Sequence, residues 1–316
     1  MQNKVSVVIV CMNKIDNLIR CIDSIYEHTL SGLTFDIWVV AYMFSNDNLE
    51  ILKSKYPYVR IVESNEIRGF SENNNLALSQ IDSECAFVLN DDTKLDSDVI
   101  SRLYSVLKEL PSNVATLSPK LLYGNGQLQY CGYGEYNWKT ILKREYSLNP
   151  KRRIESKWSN QKGVFETMNI MGAAFLIKMN VFRRVGFFDE RYFFCPEDFA
   201  LSTKLRQNGF ACYVDSDSFL YHYEGGTWGN IRIATMPAQI KGELVFMSQG
   251  ACIKRYLFAT LIFLVRFFKF CCWSVYTMQR KEVRAKIMAE ANLNICKSIF
   301  DRDTPKETFI RFFNKK

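Results

Sequence analysis

Continuously apolar runs alternate along this chain with stretches whose apolar positions recur every three or four residues. "KVSVVIV" (4–10) is β-branched and apolar throughout, the pattern of a strand covered on both faces. After it, Ile15, Leu18, Ile19, Ile22 and Ile25 keep helical spacing. "FDIWVVAY" (35–42) predicts a second strand, "DNLEILKSKY" a helix, and "VRIVES" (59–64) a third strand. "SENNNLALSQI" predicts the next helix and "CAFVLN" (85–90) the fourth strand. Strand and helix alternating in this way predict an α/β fold, with a mostly parallel, Rossmann-like sheet flanked by helices. Ligands of such sheets sit beyond the carboxyl ends of the strands.

The pattern is less regular after residue 112. A Gly- and Tyr-rich stretch, "GNGQLQYCGYGEYNW", leads to the basic, polar "KREYSLNPKRRIESKW", which reads as a loop. "MNIMGAAFLIK" (168–178) returns to strand character, with a helix from Asn180. "PEDFALSTKLRQNGF" predicts a helix with Leu201 and Leu205 on one face, and "ACYVDSDSFLYHYEGGTWG" reads as a strand pair entering a Gly-rich loop. Beyond residue 237 the chain reads as helical and basic, dividing it into a domain over 1–236 and a C-terminal region over 237–316. "YLFATLIFLVRFFKFCCWSVYTM" (256–278) has the length of a membrane span, but Arg266 and Lys269 interrupt it. Each charge near the centre of a span costs roughly 2.5–3.5 kcal/mol. A helix lying in a membrane interface or packed on a domain is therefore the expectation, and an ordinary bundle helix the alternative.

At 316 residues, 48% of them hydrophobic, the chain can bury a large core. Lys and Arg total 41 against 33 acidic residues, a net +8 that suits phosphates or an acidic membrane face. No basic motif with interleaved aromatics is organised for nucleic acid, which is excluded as a partner. The ten cysteines show no C-x-x-C pair and lie largely in apolar runs, which predicts buried free thiols in a reducing cytoplasm. The N-terminal apolar run is short and lacks a small-residue cleavage signal, so it reads as a strand rather than a signal peptide.

The fourth strand runs straight into Asn90-Asp91-Asp92. Short carboxylates at a strand end can ligate a divalent cation, which in turn can neutralise a diphosphate. His222, one of two histidines, stands at a later strand end and reads equally as a ligand or as a structural hydrogen-bonding residue. Glu197-Asp198 opens a helix after an aromatic loop: a cap by one reading, a general base by the other. Asn65, Arg68, Gly69 and the Asn73-Asn74-Asn75 run suit a tight turn or recognition of phosphate or base.

Over roughly residues 4–230 these pieces resemble family 2 glycosyltransferases with a GT-A fold, in particular the rhamnosyltransferase-like branch that builds bacterial surface polysaccharides. The motifs are "VSVVIVCMNKIDNLIRCIDSI", "NEIRGFSENNNLAL" (65–78), "FVLNDDTKLDSD" (87–98), and the block from "MGAAFLIKMNVFRRVGFFDERYFFCPEDFALSTKL" to "FLYHYEGG" (171–226). The resemblance implies that Asp92 ligates Mg²⁺ or Mn²⁺ and that His222 is the distal ligand. Asn90 and Asp91 would lie near the ribose and diphosphate. Asn65, Gly69, Phe70 and Asn74 would line the nucleotide side, with Gly172 and Glu197 also contacting donor or acceptor. Asp198 would be the catalytic base of an inverting transfer from a UDP- or dTDP-sugar to a glycan or polyprenyl-linked glycan. The enzyme would then be cytoplasmic, peripheral at the inner face of the cell membrane. One position departs from the pattern: Ala41 stands where the family carries a base-reading Asp. This leaves Asn46 or Asp47 as substitutes, and a non-catalytic scaffold as the alternative function.

Overall fold

The computed structural model describes residues 4–146, 158, 160–223, 231–280 and 282–314. The Gly-rich loop expected after residue 224 and most of the basic loop before Trp158 lie outside them. In chain order the elements are β1 (Val5–Met12), α1 (Ile15–His28), β2 (Phe35–Tyr42), α2 (Asn46–Lys55), β3 (Arg60–Ser64) and α3 (Phe70–Leu78). Then come β4 (Cys85–Asn90), β5 (Thr93–Lys94), α4 (Val99–Glu109), β6 (Val114–Leu122), β7 (Leu128–Tyr130) and α5 (Trp138–Tyr146). β8 (Val164–Thr167), β9 (Ala174–Lys178), α6 (Met179–Val185), α7 (Glu197–Gln207) and β10 (Ala211–His222) follow. Four helices end the chain: α8 (Arg232–Ser248), α9 (Cys252–Arg280), α10 (Val283–Ser298) and α11 (Pro305–Phe313).

Two compact units form: Met1–Glu135 with Glu155–Asp189 and Asp198–Glu224, and Tyr136–Ile154 with Glu190–Glu197 and Gly225–Lys316. The first holds the sheet, ordered β3-β2-β1-β4-β9-β6-β10-β5. β3, β2, β1 and β4 run parallel, β9 is inserted antiparallel between β4 and β6, and β10 runs parallel to β6. Alternate residues feed two cores, as a pleated strand requires. Val5, Val7 and Ile9 pack with Leu18, Ile22 and Leu103 on one face, while Val8 and Val88 pack with Leu78, Phe182 and Leu201 on the other. Helices cover both faces, so β1 is apolar along its length.

The strand pair expected over 211–226 is instead one strand, β10, with a register shift against β6 between Asp215 and Phe219. Buried Asp215 sits at the irregularity, where it accepts from Arg102 Nε at 2.7 Å, from Ser218 Oγ at 2.9 Å and from the Asp217 N–H at 3.0 Å. The cysteine expectation also needs correction. Cys11, Cys21, Cys85, Cys131 and Cys212 are buried, but Cys252, Cys271 and Cys272 are exposed on α9.

In the second unit α9 is one helix long and apolar enough to cross a membrane, by length and composition. Its inward face buries Ala259, Ile262, Val265 and Arg266. Arg266 Nη2 lies 2.7 Å from Glu145 Oε2, and Lys269 Nζ also turns to Glu145. Arg144 joins Glu145 at 3.0 Å to Glu243 at 2.7 Å. Burial works against the charge of Glu145, but Arg266, Arg144 and Lys269 outweigh it and hold its carboxyl below the usual range. The two charges that interrupt the apolar run are thus consumed inside the unit, and the outward face keeps Ile253, Leu257, Leu264, Phe267 and Phe268 exposed.

Glu145→Ala leaves Arg266 buried without its partner and is expected to destabilise the protein by about 3–5 kcal/mol. Lys53→Ala, which breaks the exposed pair with Glu63, is expected to cost at most about 1 kcal/mol. Urea denaturation followed by circular dichroism compares the two; equal midpoints would contradict the inward assignment of Arg266.

Candidate active site

The site forms at the carboxyl ends of β1, β2, β3 and β4. Parallel pairing sets Cys11 beside Ala41 and Val10 beside Asn90, so these strand ends share one edge. After Asn90 the chain turns tightly, with Thr93 Oγ1 donating to the Asn90 carbonyl at 2.8 Å. β5 then pairs antiparallel with the end of β10, matching Thr93 to His222, and Tyr223 N donates to the Asp92 carbonyl at 2.8 Å. A residue 130 positions downstream is thereby set beside Asp92. His222 Nε2 lies 3.1 Å from Asp92 Oδ1 and 3.4 Å from Asn90 Nδ2. Its Nδ1 lies 2.9 Å from Gln129 Oε1.

Asp91 lies against the buried Cys11 thiol. Burial raises its carboxyl to about 6, although the hydrogen bond from Cys11 pulls the other way. Cys21 sits 3.4 Å from Thr93 Oγ1, and burial raises its thiol to about 12. Two protonated thiols therefore pack beneath the acidic turn.

Asp198 belongs to the same edge. The Asn90 N–H donates to the Ala173 carbonyl at 2.9 Å, and the neighbouring Gly172 N–H donates to Asp198 Oδ2 at 3.1 Å. Asp198 Oδ1 accepts from the Phe199 N–H at 2.8 Å. A Cβ built on Gly172 would stand 3.6 Å from both Asp198 Cβ and Phe70 Cζ, so these three residues form one cluster. Burial lifts the Asp198 carboxyl to about 6, against the backbone N–H donors, Gly172 first, that favour its charge.

The remaining sequence candidates divide. Gly69 is the N-cap of α3, and its N–H donates to Glu72 Oε2 at 2.9 Å. The Phe70 ring meets Phe188 edge-on at 5.5 Å. Asn74 is buried, and its amide donates to the Phe70 carbonyl within α3, a structural use. Asn65 is exposed just after β3. Glu197 opens α7 and belongs to the second unit. Ala41 is buried at the end of β2, and Asn46 and Asp47 lie exposed in the first turn of α2. The polar group nearest in sequence to Ala41 is the Tyr42 hydroxyl, which accepts from the Arg68 N–H at 3.3 Å.

Gln129, Cys11 and Tyr42 were not marked as site residues by the sequence. Only strand register brings Cys11 and Tyr42 to this edge, while Gln129 arrives through a hairpin whose residues carry no motif. Among the described residues no group of three or more His, Cys, Asp or Glu side chains could by itself hold a metal ion. Asp92 and His222 do offer a carboxylate and an imidazole that together could ligate one. Two protein ligands suit Mg²⁺ or Mn²⁺, which fill their coordination with substrate phosphates and water.

Residues 6–183 match the family model described as Glycosyl transferase family 2. The O-antigen biosynthesis protein RfbC of Myxococcus xanthus is 22% identical over 235 residues, covering 71% of this chain and 18% of the relative. This chain therefore spans under a fifth of that protein's length. A mannosyltransferase, PcManGT from Pyrobaculum calidifontis, solved with GDP-Man and Mn²⁺, superposes with a TM-score of 0.54 at 14% identity, covering 96% of this chain and 89% of its own. GalNAc-T7, solved with UDP, GalNAc and Mn²⁺, gives 0.55 at 16% identity over 73% of this chain and 46% of its own. These structures share the GT-A fold described above. With the family model matching more than half of its length, the chain belongs to glycosyl transferase family 2.

Proposed function

We propose that the protein is an inverting glycosyltransferase of bacterial surface-polysaccharide synthesis. It moves a hexosyl or rhamnosyl group from a nucleoside-diphosphate donor, a UDP- or dTDP-sugar, to a hydroxyl of a glycan or polyprenyl-linked glycan. The observation that carries this reading is the hydrogen-bonded path from Asp92 and His222 through Asn90, Ala173 and Gly172 to Asp198. It brings a carboxylate–imidazole pair and a carboxyl of raised pKa to one strand edge, which supports the reading. The neighbours solved with Mn²⁺ and nucleotides, and the O-antigen relative, support it.

In this reading Asp92 and His222 would hold Mg²⁺ or Mn²⁺. The bound cation would offset the charge that builds on the departing diphosphate. Asn90 and Asp91 face the ribose and diphosphate, and Phe70 and Gly172 shape the floor beside Asp198. Asp198 takes the proton of the acceptor hydroxyl; its oxygen bonds to the anomeric carbon as the bond to the diphosphate oxygen breaks. A carboxyl near 6 is mostly ionised at neutral pH yet basic enough to accept that proton. Ala41 favours one competing reading, a non-catalytic scaffold that keeps the shape of the donor site.

We also infer that the protein works at the cytoplasmic face of an anionic membrane, with the exposed face of α9 against lipid. From Leu244 to Lys281 the sequence holds no Asp or Glu, and Lys254 and Arg280 stand exposed near the two ends of α9. An apolar face with basic ends suits in-plane docking on acidic headgroups.

With Mn²⁺ and a panel of nucleotide sugars, Asp198→Asn is expected to lower turnover by about 10²–10⁴-fold and to leave nucleotide binding unchanged. The parent's rate should fall as pH drops through about 6, where Asp198 gains its proton. A folded parent with no turnover on any donor would leave the scaffold reading in place. Flotation with phosphatidylglycerol vesicles at low salt tests the membrane face: the parent is expected to float with lipid, and Phe267→Glu with Phe268→Glu to stay in solution. A parent left in solution would overturn it.

A further inference from the structure

The β6–β7 hairpin has no part in the scheme above, yet it touches the candidate ligand His222. Its turn is closed by Tyr123 N donating to the Gln127 carbonyl at 2.8 Å and by Gly126 at φ +79°. Leu121 pairs with Tyr130 and Leu122 with Leu128, so one extra residue, Gln129, is accommodated on β7. Such an insertion is a β-bulge, a device that re-aims a side chain. The hairpin is also pressed onto the chain next to His222. A Cβ built on Gly124 would stand 2.6 Å from two ring carbons of Tyr223, so a larger residue would have to displace that ring.

We propose that Gln129 is a positioning residue that keeps a proton on Nδ1 of His222 and turns its Nε2 toward Asp92. The inference rests on the reading of Asp92 and His222 as cation ligands. Gln129 is 9% exposed and His222 4%, so water does not readily substitute for their contact. An amide oxygen only accepts, so the 2.9 Å contact from Gln129 Oε1 requires the proton on Nδ1. Nε2 is then the nitrogen turned toward Asn90 and Asp92. Asn90 Nδ2 lies 3.4 Å from it. Asp92 Oδ1 lies 3.1 Å from it; two facing lone pairs at that distance repel, and a proton, or a cation in its place, relieves the repulsion. Ligating histidines characteristically give their other N–H to a carbonyl or carboxylate acceptor, which fixes the ring and raises its basicity. A bulged glutamine supplies that acceptor here.

The test uses the full chain, Gln129→Met and Gln129→Glu. Methionine keeps the volume and removes the acceptor; glutamate keeps an acceptor and removes the amide donor. Free Mn²⁺ is read by electron paramagnetic resonance in the presence of UDP. Gln129→Met is expected to weaken Mn²⁺ binding by about 10- to 100-fold, and Gln129→Glu to stay close to the parent. Metal-free ¹⁵N NMR of the imidazoles gives a second reading that involves no metal. The protein has only two histidines, His28 and His222, so His222 is assigned by its loss in His222→Gln. The parent should show a protonated Nδ1. A bare Nδ1, Mn²⁺ affinity unchanged in a folded Gln129→Met, or Gln129→Glu as weak as Gln129→Met would each overturn the proposal. A parent that shows the protonated Nδ1 but no Mn²⁺ binding would instead remove the cation reading on which it rests.

Discussion

The two-residue ladder between β5 and β10 is the constraint on which the candidate site depends. The acidic turn after β4 would otherwise be an exposed loop, free to spread its carboxylates apart in water. Pairing Thr93 with His222 and Asp92 with Tyr223 fastens that turn to a strand more than a hundred residues later in the chain. The turn is held from below as well, by Thr93 on the Asn90 carbonyl and by Ser24 Oγ accepting the Leu95 N–H at 3.1 Å. The carboxylates are thereby preorganised rather than gathered by a ligand.

Antiparallel β9 extends the same logic toward the base. In an all-parallel sheet the strand beside β4 would present its carboxyl end at this edge. Reversed, β9 presents its beginning, and the Gly172–Ala173 backbone arrives beside Asn90. The Gly172 N–H can then hold Asp198, while Ser202 Oγ donates to the Asp198 carbonyl at 2.8 Å and accepts the Ile170 N–H at 3.1 Å. One helical turn is thus clipped to one strand entry at two points.

Much of this was legible in the residues. Continuously apolar runs marked β1, β2 and β4 because strands buried on both faces leave no room for polar alternation. The acidic turn, His222 and Asp198 stood out through chemistry at element ends. What stayed hidden is set by long-range geometry. Gln129 looks like any polar residue of a Gly-rich hairpin, and no pattern shows that the Asn74 amide donates within its own helix. On α9, Arg266 and Lys269 read as obstacles to a membrane span, but a sequence cannot tell which way a charge turns. Glu145, which receives both, lies in a stretch whose composition reads as a loop.

The distribution of thiols has a practical consequence for handling the protein. Burial keeps Cys21 and Cys85 protonated, with pKa values near 12, and pushes Cys11 higher still, so these buried thiols are poor nucleophiles at neutral pH. Among the described residues the exposed cysteines are Cys252, Cys271 and Cys272 on α9, while Cys195 and Cys296 are half-buried. Maleimide dyes or spin labels will therefore react first with the helix and spare the buried thiols, so that one native chain can report on its own apolar surface.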